Sequence, residues 1–238
     1  MHSDLLTIDG GNTHLKLGWF QEGKLVQFKR LTSDSPLDEY LHPNQQVVLS
    51  NVGDPALLER INSFGAEVFI LHPSIRLPFE NKYMTPETLG VDRLCNIAAV
   101  HHLYPQRNVL VLDLGTCIKM DFINAEGIYE GGTISPGLAL RFKSLHDYTA
   151  TLPILSTTRN WGTIGTSTSE SIQYGVMNSV RAELEFYISE FRSRFQNVKV
   201  VFTGGDAHYF DMGQKNSIFV DENLTLKGIY ALYLSQFP

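Results

Sequence analysis

Short apolar runs separated by glycine-bearing breaks dominate the start of the chain. Leu5 to Asp9, His14 to Phe20 and Lys24 to Arg30 predict three consecutive strands, interrupted by the turn at Asp9-Gly10-Gly11-Asn12-Thr13 and by Gln21-Glu22-Gly23. Val47 to Asn51 and Glu67 to Leu71 read as further strands. Asp54 to Phe64 reads as a helix with Pro55 in its first turn and Gly65 after its end. Pro73, Pro78 and Pro86 mark His72 to Thr88 as loop, and Asp92 through Leu103 carries helical apolar spacing up to Pro105. The pattern then restarts. Asn108 to Asp113, Cys117 to Asn124 and Ile128 to Ile134 predict three more strands, and Pro136-Gly137 opens a helix reaching about Tyr148. Thr168 to Phe195 predicts a long amphipathic helix with Ile172, Val176, Val180, Leu184 and Ile188 on one stripe. Val198 to Phe202 follows as a strand and Leu224 to Phe237 as a final helix. This repeat predicts two related α/β domains, residues 1–106 and 107–238.

Composition narrows the class. The 238 residues are 43% hydrophobic and 18% charged, which suits a globular protein able to bury a core. A formal net charge of −6 argues against a nucleic-acid surface while leaving room for a local anion site. No apolar run is long enough to span a membrane, and Met1-His2-Ser3-Asp4 lacks the features of a signal peptide. Cys95 and Cys117, without a CxxC pair, predict neither a disulfide framework nor a zinc site. The expected setting is the cytoplasm, with both thiols reduced.

The two turns Asp9-Gly10-Gly11-Asn12-Thr13 and Asp113-Leu114-Gly115-Thr116 stand 104 positions apart at equivalent places in the two halves. Such turns present backbone N–H groups with no side chain in the way, which forms a concave site for phosphate oxygens. The Thr hydroxyl adds a hydrogen bond, and the Asp can hold a cation that the phosphates also touch. Each turn could equally serve as a plain hairpin. As a pair, they predict two halves gripping one nucleotide between them.

Six blocks in order carry a family resemblance: Ile8-Asp9-Gly10-Gly11-Asn12-Thr13; Tyr83, nine positions before Asp92, with Leu89-Gly90-Val91-Asp92-Arg93; Asp113-Leu114-Gly115-Thr116 leading to Asp121; Gly131-Gly132-Thr133-Ile134-Ser135-Pro136-Gly137; Gly165-Thr166-Ser167-Thr168 with Glu170-Ser171-Ile172 and Gly175; and Thr203-Gly204-Gly205-Asp206-Ala207. Over nearly its whole length the chain resembles type III pantothenate kinases, within the superfamily of acetate and sugar kinases, Hsp70-type chaperones and actin.

The resemblance implies two duplicated actin-like (ribonuclease H-like) domains with a nucleotide cleft between them, and phosphorylation of pantothenate by ATP. It implies that Asp9, Gly10, Gly11, Asn12, Thr13, His14, Leu15 and Lys16 form the first phosphate loop, with Asp9 also near Mg²⁺. Thr116, Gly204 and Gly205 would contact ATP. Asp92 would be the general base, with Tyr83, Gly90, Val91, Asp92, Arg93 and Thr168 around pantothenate. Asp113 would hold a monovalent cation, K⁺ or NH₄⁺. Family members are homodimers, so Thr168 serves either its own subunit or its partner's.

Several of these residues have structural alternatives. Asp92-Arg93 suits a helix N-terminus with a surface ion pair, Asp113 a turn cap, and Thr168 a helix cap. The stripe on the long helix suits a dimer contact or an intrachain core equally. Two positions depart from the family pattern. Lys119 stands where relatives often carry Thr, and Gly10 stands where an apolar residue is usual, which is expected to loosen the loop.

Overall fold

The computed structural model describes residues 5–11, 14–51, 54, 56–210 and 218–237. The chain forms two compact units: Met1–Gln106 with Ile123–Gly131 and Asn223–Pro238, and Arg107–Phe122 with Gly132–Glu222. The expected division after residue 106 is therefore one of several crossings, because a segment of the middle and the C-terminal helix join the first unit.

In the first unit, β1 (Leu5–Gly10), β2 (His14–Gln21), β3 (Lys24–Thr32), β4 (Gln46–Asn51) and β5 (Glu67–Ile70) form one sheet in the order β3-β2-β1-β4-β5. β2 is antiparallel to both β1 and β3, whereas β4 runs parallel to β1 and β5. Alternation along the strands divides their side chains between two faces. Leu6, Ile8, Val47 and Leu49 enter a core with Leu37, Leu41 and the buried Leu57 and Ile61 of α1 (Leu57–Asn62). Thr7, Asp9 and Ser50 fall on the other face, toward α2 (Val91–Leu103) and α5 (Leu224–Leu234). There the Cβ position of Gly18 lies 2.9 Å from Thr7 Oγ1 and 3.0 Å from Leu226 Cδ1. Helix α1 is shorter than expected because the Asp54 carboxylate accepts the Ala56 N–H at 2.8 Å and starts the helix late. Pro55 lies outside the described residues.

β6 (Glu80–Asn81) lies inside the stretch expected to be loop, and it pairs parallel with Ile128 and Tyr129. A strand of two residues leaves no periodicity for a sequence to display.

In the second unit, β7 (Val109–Leu114), β8 (Cys117–Ile123), β9 (Ile128–Pro136), β10 (Lys199–Thr203) and β11 (Ile218–Val220) assemble in the order β11-β10-β7-β8-β9, with β9 beginning in the first unit. Leu110, Leu112 and Leu114 of β7 pack with α3 (Leu138–Asp147) and α4 (Thr168–Arg194). Ile172, Val176, Val180, Leu184 and Ile188 lie in that core, so the stripe on α4 is filled from within the chain.

Helix α5 completes the first unit by pressing on α2. Gly228 lies so close that a Cβ there would stand 1.8 Å from the Cys95 carbonyl oxygen. Beside it, the buried Thr225 hydroxyl and the Asn96 Oδ1 hydrogen-bond at 2.9 Å. Gly228→Ala should thus be destabilising despite a helix-propensity gain of about 1 kcal/mol, because overpacking against backbone costs more. The expected net loss is roughly 2 kcal/mol, read as a lower urea midpoint. An unchanged or raised midpoint would show that the two helices have room to separate.

Candidate functional site

The first unit gathers the expected base and its neighbours at the start of α2. Gly90 stands at the N-cap of the helix and Asp92 in its first turn. Asp92 Oδ1 accepts the Arg93 N–H at 2.9 Å, and a Cβ on Gly90 would stand 2.5 Å from that same oxygen. Glycine is therefore what lets the carboxylate fold back over the helix N-terminus, where backbone N–H groups favour negative charge. Arg93 is 3% exposed, with its guanidinium 5.4 Å from the ring centroid of Tyr83. That ring in turn stacks on Tyr129 with centroids 6.3 Å apart. The surface-pair alternative for Arg93 thus fails, since the side chain is buried over an aromatic face. Val91 is buried beneath this turn.

Asp9 reaches the same neighbourhood from the sheet. It ends β1 on the face turned to the helices, in register with Ser50 of β4 and Lys16 of β2. Cys95, one turn after Asp92, reports on both acids. Burial, then the Asp9 and Asp92 carboxylates, push its thiol well above the ordinary value of 9.0. The Ser50 hydroxyl is buried with no satisfactory hydrogen-bond geometry, and turned toward the sulfur it offsets part of that effect. Asp9 and Asp92 therefore flank one neutral buried thiol.

The rest of the loop expected to hold phosphate divides by role. Leu15 is a core residue and offers no polar side-chain atom. The Gly11 N–H donates to the His14 carbonyl at 3.1 Å, closing the hairpin. Asn12 and Thr13 lie outside the described residues. His14 Nδ1 and Arg30 Nη2 are 3.3 Å apart. Burial, then Arg30 and Lys16, lower the pKa of His14, so its ring is neutral near pH 7 and accepts from the guanidinium. His14, Lys16 and Arg30 form a basic ladder beside Asp9, and sequence reasoning missed Arg30, whose only signal was its cross-strand register with Lys16. Gly10 does not loosen the loop as expected. Its Cβ position lies 2.7 Å from Asn51 Oδ1 and 2.8 Å from Leu57 Cδ2, so the position is tightly packed and excludes a side chain.

In the second unit, Asp113 near the end of β7 is in register with Thr203 of β10. Gly204 follows with φ of 89°, a conformation suited to glycine, and its Cβ position lies 2.3 Å from the Leu114 carbonyl oxygen and 2.6 Å from Asp113 Oδ1. The Asp206 N–H donates to that same carbonyl at 2.9 Å, which fixes the Gly204-Gly205 turn against β7. Thr116 is exposed in the turn to β8, and its carbonyl accepts the Gly137 N–H at 3.1 Å. Asp113, Thr116, Gly204 and Gly205 thus belong to adjoining turns. Lys119 of β8 places its Nζ 2.9 Å from Asp113 Oδ2. The carboxylate expected to meet a monovalent cation meets an ammonium.

Thr168 lies elsewhere in this unit. Ser167, rather than Thr168, caps α4 by accepting the Glu170 N–H at 3.2 Å. Thr168 lines a cavity of about 940 Å³ with Arg141, Ser171 and Ser179, and that lining includes none of Asp113, Thr116, Gly204 or Gly205. Arg141 holds the cavity wall, donating to the Pro136 carbonyl, to Ser179 Oγ and to Glu183. Sequence reasoning missed it, although a basic residue in the first turn of a helix is unusual enough to have signalled it.

The profile of type III pantothenate kinases matches residues 5–190. A type III pantothenate kinase from Flavobacterium johnsoniae is 38% identical over 238 residues, spanning 96% of this chain and 97% of that one. Among solved structures, a protein described as a conserved Baf family transcriptional activator from Campylobacter jejuni aligns with a TM-score of 0.66 and 22% identity, over 97% of this chain and 98% of that one. The activator of 2-hydroxyisocaproyl-CoA dehydratase from Clostridium difficile, solved with bound ADPNP, aligns with a TM-score of 0.52 and 13% identity, over 98% and 96%. The two structural likenesses speak to the fold alone, the expected actin-like α/β architecture. By the extent of the profile match and the identity to full-length relatives, the chain belongs to the type III pantothenate kinase family.

Proposed function

We propose that this chain transfers the γ-phosphoryl group of ATP to the hydroxyl of pantothenate, giving 4'-phosphopantothenate and ADP, the first step of coenzyme A synthesis. The observation that carries this reading is the group at the start of α2: Asp92 folded over Gly90, with Arg93 buried against Tyr83. The bond that forms joins the pantothenate oxygen to the γ-phosphorus, and the bond that breaks joins that phosphorus to the β,γ-bridging oxygen. Asp92 takes the hydroxyl proton as the new bond forms. A carboxylate suffices, because phosphoryl transfer depends on positioning and charge compensation more than on a strong base. The Arg93 guanidinium is suited to hold an oxygen-rich substrate group, and Tyr83 supplies a flat apolar wall.

Asp9 and the basic ladder of His14, Lys16 and Arg30 address the phosphates. No cluster of three or more acidic, His or Cys ligands occurs among the described residues. Magnesium is commonly held by one or two carboxylates plus phosphate oxygens and water. Asp9 is the carboxylate placed to serve it, and the ion when bound neutralises charge developing on the phosphates. The resemblance assigns Asp113 to a monovalent cation, and the Lys119 ammonium already supplies one positive charge there. Thr116, Gly204 and Gly205 are assigned to the nucleotide, and Thr168, beside Arg141, to pantothenate in its own subunit or its partner's. The reading extends to a cytoplasmic homodimer. No helix among the described residues is long and apolar enough to cross a membrane.

An assay coupling ADP formation to pantothenate addition tests the reading. Asp92→Asn should lower kcat by roughly 10²- to 10⁴-fold, with affinity for a non-hydrolysable ATP analogue retained. Activity equal to that of the unaltered chain would remove Asp92 from the base role. Arg93→Lys loses the planar fork and the stacking on Tyr83, so the KM for pantothenate should rise about tenfold with a smaller change in kcat. An unchanged KM would sever Arg93 from substrate binding.

A further inference from the structure

Asp113 is the position at which the resemblance puts a monovalent cation, and its surroundings do not suit an alkali ion. Asp113 Oδ2 lies 2.9 Å from Lys119 Nζ, with the two side chains only 12% and 18% exposed. Its other oxygen, Oδ1, faces Gly204, where an added Cβ would stand 2.6 Å away. Thr203 Oγ1, in register with Asp113, is buried without a hydrogen-bond partner. An alkali ion on Asp113 would have to share the carboxylate with the ammonium already paired to it. A carboxylate oxygen suits an ammonium, which has three N–H donors and a single charge. A potassium ion on Asp113 would stand beside the Lys119 ammonium or evict it, and like charges in a half-desolvated site repel strongly.

Lys119 is also fixed where it stands. It lies on β8, next to β7 in the sheet, between the buried Ile118 and Met120. The strand thus holds its backbone beside β7, and the covalent stem keeps the ammonium within reach of Asp113 whatever the salt in solution.

We propose that Lys119 is the resident cation of this site. Its ammonium supplies the positive charge at Asp113 that relatives are expected to take from K⁺ or NH₄⁺, and the kinase works without a monovalent cation. The inference rests on the phosphoryl-transfer reading above for its catalytic consequence, but not for its binding consequence.

The test compares the unaltered chain and Lys119→Thr in KCl, NH₄Cl, NaCl and choline chloride at one ionic strength. For the unaltered chain, the rates of pantothenate phosphorylation should agree across the four salts within about twofold. Its melting temperature with a non-hydrolysable ATP analogue should agree within about 1 °C. Lys119→Thr should lose at least about tenfold in rate in choline chloride and recover in KCl or NH₄Cl but not NaCl. Its melting temperature should rise specifically with K⁺, as linkage to a newly opened ion site requires. Activation of the unaltered chain by K⁺ over choline by more than about fivefold would overturn the proposal, as would K⁺-specific stabilisation of that chain. So would a folded Lys119→Thr variant indifferent to K⁺. Should pantothenate not be phosphorylated in any salt, the kinase reading fails, and the melting comparison still decides the role of Lys119. Should Lys119→Thr not fold, the four-salt comparison of the unaltered chain decides it.

Discussion

The backbone of α5 touches that of α2 where Gly228 meets the Cys95 carbonyl, and the position of the proposed catalytic groups follows from that contact. Helix α2 carries Asp92, Arg93 and Cys95 within its first turns, so whatever seats the helix seats all three. The Thr225–Asn96 hydrogen bond is buried beside the contact, and a buried polar pair is costly to break because each partner would be left unsatisfied. Together the glycine and the polar pair set both the separation and the register of the two helices. On the sheet side, alternation along β1 sends Asp9 toward the same helix while Leu6 and Ile8 anchor the strand from the opposite face. The C-terminal segment thus positions the proposed catalytic groups as much as the strand that opens the chain does.

Charge is the second constraint on this region. Asp9 and Asp92 both act on Cys95, whose thiol stays protonated because burial and two carboxylates oppose its ionisation. A neutral thiol at that position adds no third negative charge beside the two carboxylates proposed to serve phosphate and substrate. The basic ladder on β2 and β3 works in the opposite sense. His14 is kept neutral by its burial and by Arg30 and Lys16, so its ring serves as an acceptor that steadies Arg30 instead of adding a further charge. Repulsion within the ladder is lowered while two permanent cations remain beside the acid.

Much of this was legible in the sequence because it is written in local periodicity. Strand alternation and helical stripes locate the main elements, and the Gly-bearing turns mark where the chain must bend without side chains. The Tyr83-to-Arg93 spacing was legible as a block, yet the burial of Arg93 over the ring was not, since a long cation near a helix start usually lies on the surface. Gly10 was misread for a related reason. Its small size answers to Asn51 and Leu57, residues far along the chain that approach it only in the folded sheet. The discontinuous first unit was hidden because two of its breaks fall inside continuous strands, at the end of β8 and within β9, where the apolar pattern shows no interruption. Helix α4 was seen correctly in extent, but its stripe alone could not tell a core from a dimer contact. That required Leu110, Leu112 and Phe142 on the other side of it.

Lys119 shows how far a single departure from a pattern can be read. In sequence it was one unexpected cation in a strand, where relatives often carry Thr. In the fold β8 neighbours β7, and the ammonium stands 2.9 Å from Asp113 Oδ2, the observation from which the resident-cation proposal is argued. An ion drawn from solution must lose water and translational freedom each time it binds, and its occupancy follows its concentration. A tethered ammonium has met that entropic cost once, during folding, and its occupancy is independent of salt. What it gives up is adjustability, since the stem fixes its approach where a free ion could shift with the phosphates. Placement of the Lys on a sheet strand instead of a loop is consistent with a site that needs its charge in one position throughout the reaction.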